Sequence, residues 1–498
     1  MIMEFAQFIL EHDGDDLSRL ALARDRFSGQ VEDFDLALNT LEGRRKLRAK
    51  VPEWVALPQL RYPYKLSAEQ CSSSETARYK ASVALAACGF TSVPSKKAEN
   101  AGTDVLPNAD AVKNGQKCGR ACRVADLTGG LGVDSWAFAQ VFGEVLYNEM
   151  RPELADAARY NFKELGLNNI TVRNCTLGSP VQPAMTASVM ADTDRPSPVM
   201  TVGEILDGFE PDVLFLDPAR RASDGRKVFR LEDCQPDVLQ LLPELFEACP
   251  RLLLKLSPMA DITLVCKQLK NVKDVHVVAA EGECKELLLL LERDWNAPYS
   301  LTIYESGAVM EIIDGGCGDV PRSSLRDPSH FAVPSGHKLW APPVPGANSG
   351  PPYYPPRGIF ALTGLAEGGH GFGNITTPSY LFEPGKALLK AGAFELPCRY
   401  GLEKMDRHTH LYVGEVVPEA LRPFGKVFEI LEVAPLNNRS IKDISKRYPS
   451  AEVTARNIPL SSSQLRAKLG VRSGASVHIF GIKTSTGNIL LATRRLQD

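Results

Sequence analysis

Two rhythms of apolar and polar positions run along this chain, and the change between them divides it. From residue 1 to about 87, apolar residues recur at spacings of three and four, as in LSRLALARDRF and VEDFDLALNTLEGRRKLRAK, with Asp or Ser ahead of each run as a helix cap. A further helix is predicted in SSSETARYKASVALAA, after an interruption at Pro58, Tyr62, Pro63 and Tyr64. Residues 88 to 118 are polar and rich in Gly, Asn and Lys, and read as a loop or linker. From Cys118 to about Trp295 short apolar runs take over: CRVADL, EVLYNE, NITVRN, DVLFLD, RLLLKL and ELLLLLE, with helical patterns between several of them. This alternation predicts a parallel, doubly wound α/β sheet of Rossmann-like architecture. Leu177 to Val202, rich in Pro, Ser, Met and Thr, is expected as a surface loop.

A Pro/Gly-rich tract from Pro334 to Gly373 cannot fill a core and separates the sheet from the C-terminal part. There EPGKALLKAGAFE reads as a helix, and Ala451 to Arg495 as strand, helix, strand, strand. SSSQLRAKLG offers a serine cap and a terminal glycine, and TSTGN turns a hairpin between VHIFGIK and ILLATRR. The expected segments are a helical N-terminal region with a polar linker (1–117), the α/β domain (118–295), a connecting region that is Pro/Gly-rich in its second half (296–377), and two small α+β modules (378–430 and 431–498).

Composition narrows the class. At 498 residues about three domains are expected, and 44% apolar with 23% charged residues is ordinary for a globular protein. No apolar run approaches the ~20 residues of a membrane helix. The N-terminus has no basic n-region and no small-residue cleavage site, so a cytoplasmic protein without a membrane partner is expected. Eleven cysteines occur without a CxxC pair or a zinc spacing, which points to reduced thiols and no metal. The net charge of −3 hides a gradient: Arg399 to Asp498 holds 16 Lys/Arg against 9 Asp/Glu, so this stretch carries +7 and the remainder −10. Such an excess favours a polyanionic partner.

The chemistry concentrates in RVADLTGGLGVDS. A strand ends on Asp126, glycines crowd at Gly129, Gly130 and Gly132, and a helix begins: a turn that lets backbone approach a ligand beside the N–H groups of a helix start. Asp126, Glu149, Asn174 and Asp217 all close predicted strands, where open α/β sheets bind ligands. Glu149 is placed to accept both hydroxyls of a ribose.

DLTGGLG resembles the first motif of class I S-adenosylmethionine-dependent methyltransferases. The resemblance implies S-adenosylmethionine as cofactor, with Asp126, Thr128, Gly129, Gly130, Gly132 and Glu149 as contacts. Asn174, in RNCT, stands where that class often has an acid near the adenine. VLFLDPARR is similar to the catalytic motif of methyltransferases acting on nucleic-acid bases, and implies roles for Asp217 and Pro218. Its next positions are Ala219 and Arg220 rather than a Pro and an aromatic that grip a flipped base. Arg220 and Arg221 either hold phosphate or pair with acids. Lys255 ends LLLKLSP and Glu286 begins ELLLLLE; with Asp217 they are expected to meet at the sheet's carboxyl edge, as an ion pair or with Lys255 as base or as orienter of a hydroxyl. This order resembles the Lys-Asp-Lys-Glu tetrad of ribose 2′-O-methyltransferases, and Lys80 in ETARYKAS resembles its first lysine.

Over roughly residues 120 to 300 and 378 to 498 the order of parts resembles a bacterial family of methyltransferases with a C-terminal THUMP-like domain. DPARR with GRKVFRLEDCQPD, GECKELLLL, YLFEPGKALLKAGAF and VTARNIPLSSSQLRAKLG carry the resemblance. It implies a ferredoxin-like segment at 378–430, a THUMP-like domain at 431–498, and RNA as partner. The candidate phosphate contacts are Arg456, Arg466, Lys468, Arg472, Lys483, Arg494 and Arg495. The reading that follows is an S-adenosylmethionine-dependent methyltransferase acting on structured RNA, ribosomal or transfer RNA, at a base or a ribose. Asp217, Pro218, Arg220, Lys255 and Glu286 are its candidate catalytic residues. The alternatives are an RNA-binding protein whose methyltransferase fold has lost catalysis, and an NAD-linked oxidoreductase.

Overall fold

The structure, a computed structural model, describes residues 3–27, 29–89, 116–117, 120–178, 196–220, 231–312, 380–474, 476–484 and 487–496. The chain forms two compact units, one of Met1–Ala280, Lys285–Thr302 and Glu311–Pro334, the other of Glu281–Cys284, Ile303–Met310 and Ser335–Asp498.

The first unit opens with helices, as the spacing of its apolar residues predicts. Helix α1 (Phe34–Lys50) starts where the Asp33 side chain accepts the Leu36 N–H at 2.9 Å. Helix α2 (Ser74–Ala87) starts at Ser73, whose hydroxyl accepts the Thr76 N–H at 3.2 Å. Both caps satisfy backbone donors that a helix start leaves unpaired. Ala77, Ala81 and Ala84 form the buried stripe of α2, and Lys80 lies in that same stripe.

The sheet of this unit contains β1 (Arg123–Asp126), β2 (Glu144–Asn148), β3 (Ile170–Arg173), β4 (Val213–Leu216), β5 (Arg251–Leu256), β6 (Val272–Ala280) and β7 (Glu283–Glu292), in the order β6-β7-β5-β4-β1-β2-β3. Strands β5, β4, β1, β2 and β3 are parallel and β7 is antiparallel to β5. All four positions of β4 are buried, which is why VLFL reads as a continuous apolar run without alternation. Helix α3 (Val133–Ala139) follows β1 and α4 (Pro152–Glu164) follows β2. The chain runs from β1 to β2 on one side and returns to β4 on the other, so the topological switch lies between β1 and β4. Asp126 ends β1, and Asp217 directly follows β4.

Some elements were not predicted. Strand β6, VKDVHVVAA, follows no single period and was missed. The connecting region expected from residue 296 begins instead with two strands, Ser300–Glu305 and Ala308–Ile312, around a turn in which Ser306 and Gly307 take φ of 46° and 90°. In the predicted loop from Leu177 to Val202, the described ends pair as Thr176–Leu177 with Val199–Met200, and 179–195 lie outside the described residues. The tract from Pro334 to Gly373 and most of 88–118 also lie outside them.

The second unit holds β8 (Tyr380–Pro384), β9 (Glu403–Asp406), β10 (Thr409–Gly414), β11 (Gly425–Pro435), β12 (Glu452–Arg456), β13 (His478–Thr484) and β14 (Gly487–Arg495), in the order β9-β10-β8-β11-β14-β13-β12. Helices α5 (Asn438–Arg447) and α6 (Ser462–Leu469) pack through Ile441, Ile444, Leu465 and Leu469 against Val453, Ile479 and Leu490 of the sheet. The predicted strand, helix, strand, strand of 451–495 is β12, α6, β13 and β14. Helix α6 has the serine cap, with Ser461 and Gln464 capping reciprocally, and ends on Gly470 at φ 63°. The helix predicted in EPGKALLKAGAFE is confined to Lys386–Lys390. No helix among the described residues is long and apolar enough to cross a membrane.

Candidate functional site

The glycine turn is held from both sides by side chains that sequence reasoning assigned to ligand binding. Asp126 is 1% exposed; its Oδ1 accepts the Thr128 N–H at 3.1 Å and its Oδ2 the Ser135 hydroxyl at 2.6 Å. Burial pushes its carboxyl up to about 7; the hydrogen bonds from Ser135 and Thr128 offset part of that, while the charges of Asp134 and Asp217 add to it. Thr128 Oγ1 accepts the Asp217 N–H at 2.7 Å, which ties the turn after β1 to the end of β4.

Two of the glycines are required by packing. A Cβ on Gly129 would stand 2.1 Å from the Tyr147 ring, and one on Gly132 would stand 2.7 Å from that of Phe162. The turn therefore lies directly on aromatic rings of β2 and α4, a demand of the fold itself. Gly130 differs: it takes φ 54°, a Cβ there would meet only the Thr128 carbonyl oxygen at 4.0 Å, its N–H donates to Glu149 Oε2 at 2.9 Å and its carbonyl accepts the Tyr147 hydroxyl at 2.6 Å. Glu149 Oε1 accepts the Arg151 N–H at 2.8 Å. Burial raises the Glu149 carboxyl above its ordinary value despite those backbone donors. The Met150 N–H adds a third backbone hydrogen bond, so of about four acceptor positions on the carboxylate Glu149 keeps one free. Asn174 donates to the Glu149 and Met150 carbonyls at 2.8 and 3.3 Å and thereby shapes the loop after β2.

At the ends of β4, β5 and β7 the sequence-predicted Asp217, Lys255 and Glu286 come together. Lys255 Nζ donates to Asp217 Oδ2 at 2.5 Å and lies 3.9 Å from Glu286 Oε2. Lys80 joins them: its Nζ, 0% exposed, donates to Glu286 Oε1 at 2.6 Å and Ser72 Oγ at 2.9 Å, and lies 3.2 Å from Asp134 Oδ1. Ser72 in turn donates to Asp134 Oδ2 at 2.9 Å. Two ammonium groups thus face three carboxylates, a formal excess of one negative charge in a largely buried string. Burial alone would push the Lys255 ammonium down, but the charges of Asp217, Glu286 and Asp134 outweigh it and hold the group well above the ordinary lysine range. Asp217 is the open end of the string, with its side chain 36% exposed against 11% for Lys255 and 4% for Glu286.

Ser72 and Asp134 were missed by sequence reasoning; Lys80, named there as resembling the first lysine of the tetrad, stands in an alanine stripe at three and four spacing. Pro218 is buried, and the backbone of Ala219 and Arg220 pairs antiparallel with Gln235 and Cys234. The Arg220 side chain and Arg221 lie outside the described residues. In the second unit, Arg456, Arg466 and Arg494 are bound by Glu383, Glu452 and Glu429 at 2.7, 2.7 and 2.8 Å. Lys468, Arg472, Lys483 and Arg495 have no such pair among the described residues.

Residues 380–420 match the family model of a ferredoxin-like domain and 425–495 that of a THUMP-like domain. No curated protein matches the chain. Among solved structures, a candidate methyltransferase from Porphyromonas gingivalis W83 is similar over 100% of both chains, with 24% identity and a TM-score of 0.62. A candidate methyltransferase from Streptococcus mutans in complex with SAH is 10% identical over 34% of this chain and 88% of that one, with a TM-score of 0.22. An rRNA methylase from Streptococcus thermophilus is 13% identical over 34% and 87%, with a TM-score of 0.21; these two likenesses are too slight to bear on this chain. The first shows a shared fold from end to end. The chain therefore has the expected methyltransferase fold, with a ferredoxin-like and a THUMP-like domain at its C-terminal end.

Proposed function

We propose that this chain transfers a methyl group from S-adenosylmethionine to structured RNA, and that the accepting atom is a hydroxyl oxygen. One observation carries the reading: the 2.7 Å hydrogen bond from the Asp217 N–H to Thr128 Oγ1, which joins the turn beside Glu149 to the Lys255–Asp217 pair within one unit. Donor seat and acceptor edge are thereby one piece of structure, and methyl transfer depends heavily on such alignment. The THUMP-like domain and the cationic excess after Arg399 support RNA as the acceptor.

The residues fit the cofactor. Glu149 keeps an acceptor position for a ribose hydroxyl, the absence of a Cβ at Gly130 admits close approach, and the carboxylate excess suits a ligand with cationic sulfur and amino groups. Bound there, the cofactor would supply an electrophilic methyl group.

The chain's own groups favour an oxygen acceptor. The Lys255 ammonium presents donors and no acceptor, so it offers a partner to a hydroxyl oxygen and none to the N–H groups of a base amine, which would have the Asp217 carboxylate alone. A hydroxyl oxygen can accept from that ammonium, which lowers the cost of removing its proton. Of the two catalytic roles open to Lys255, orienter fits its charge, because the surrounding carboxylates keep it protonated. The exposed Asp217 carboxylate is placed to take up the hydroxyl's proton.

Incubation with methyl-labelled cofactor and RNA from cells lacking the protein tests the reading. Label enters RNA, and D217N and K255M each lower transfer by roughly 10²–10⁴ with the fold intact by circular dichroism. No cofactor binding by calorimetry, or label in a protein pool alone, would refute it.

A further inference from the structure

The cations of the second unit sort into two kinds, and the sorting differs from the one the sequence suggested. Arg456, Arg466 and Arg494, all candidate phosphate contacts, are already held by carboxylates. Helix α5 carries three that sequence reasoning passed over. Ile441, Ile444 and the adjoining Tyr448 hold one side of α5 in the core with Leu465 and Leu469. Arg439, Lys442 and Lys446, spaced i, i+3 and i+7, form a single stripe on the opposite side, and all three are exposed. No described carboxylate makes an ion pair with any of them; Arg447 of the same helix is taken by Glu432 of β11.

We propose that this stripe docks the phosphodiester backbone of the RNA; the inference rests on the RNA reading above and names the surface it uses. A guanidinium bound to a glutamate is already compensated in charge and would bring a phosphate beside that carboxylate, whereas an unpaired exposed cation gives up only water and counterions. From Arg439 to Lys446 the helix axis advances roughly 10.5 Å at ~1.5 Å per residue. Along a duplex, one strand presents a phosphate about every 3.4 Å of axis, so three phosphates lie within that length. Contacts of these cations to phosphates fix position rather than sequence.

The full chain is titrated with fluorescent transfer RNA at salt concentrations from low to physiological. R439Q/K442Q/K446Q, which keeps good helix formers at exposed positions, lowers the slope of log affinity against log salt by about 2, at ~0.7–0.9 per lost phosphate. R456Q/R494Q keeps the slope of the unaltered chain. A triple variant with an unaltered slope, or a loss that follows R456Q/R494Q instead, would overturn the stripe and leave the methyltransferase reading standing. An unaltered chain that binds no RNA, including one that binds phosphatidylserine vesicles through the stripe, would overturn both the stripe and the RNA acceptor. Circular dichroism of each variant reports that the fold is kept.

Discussion

Lys80 in the first unit and Arg494 in the second each meet a glutamate, at 2.6 and 2.8 Å, and the two pairs are physically unlike. Lys80 and Glu286 have side-chain exposures of 0% and 4%; Arg494 and Glu429 have 59% and 39%. An exposed pair gains little over water and is screened by salt. A buried pair has lost the hydration of both charges, and removing either partner strands the other. Distance therefore says little about what a pair does. Burying two lysines among three carboxylates is a poor way to gain stability, since apolar residues of similar volume often serve as well or better. A buried string of charge that ends in an exposed carboxylate is better explained by chemistry at that end.

Stability of variants breaks or sharpens this contrast most directly. K80M leaves Glu286 and Asp134 without their shared ammonium and is expected to cost about 3–5 kcal/mol in denaturant unfolding, whereas R494A costs no more than ~1 kcal/mol. Equal costs for the two would remove the distinction.

Asp126 gives the next largest effect. Its carboxyl lies at about 7 in the folded chain against an ordinary value of 3.8, so between these values the unfolded chain has released a proton that the folded chain keeps. Stability falls as pH rises through that window, by up to ~1.4 kcal/mol per pH unit, and levels off above it. D126N lacks this slope and gains on the unaltered protein from pH 4 to 7 in thermal unfolding. Cofactor affinity moves the other way: for the unaltered chain it rises as pH passes through about 7 and the carboxylate ionises to face a cationic ligand. D126N shows weaker binding without that rise.

The glycines separate fold from ligand in the same manner. G129A drives a methyl group into the Tyr147 ring and is expected to destabilise by ~1–3 kcal/mol. G130A meets only the Thr128 carbonyl oxygen at 4.0 Å and the strain of φ 54°, about 1–2 kcal/mol, yet it loses cofactor affinity out of proportion to its stability in calorimetry. The smallest effect is a double-mutant cycle on Arg494 and Glu429, with a coupling of roughly 0.2–1 kcal/mol that vanishes at high salt.

Much of the fold was legible because its strands are short, apolar and separated by cap and turn residues. VLFL and RLLLKL have no other reading in an alternating chain, and Ser461 and Gly470 mark α6 in the sequence. Strand β6 was not legible, since Lys273, Asp274 and His276 break its apolar pattern. Within the candidate site, Asp126, Glu149 and Asp217 could be found because strand ends can be predicted. Lys80 was named only through resemblance to a tetrad, since no local pattern places it beside Glu286, which lies 206 positions away and meets it only in the fold. Ser72 and Asp134 were hidden for the same reason. The glycines were visible, but two of them answer to Tyr147 and Phe162, rings that no local pattern connects to the turn. Charge counting located a cationic region but not which of its members are paired, because pairing with Glu383, Glu452 and Glu429 is a property of the folded sheet.

The central claim is that the buried string ending at Lys255 and Asp217 serves an oxygen acceptor. Alkaline hydrolysis of RNA labelled by the purified chain tests it, because a methylated ribose 2′-hydroxyl can no longer attack the neighbouring phosphate. Label is expected in alkali-resistant dinucleotides and is lowered by roughly 10²–10⁴ in K255M. Label recovered in mononucleotides with a methylated base would contradict it.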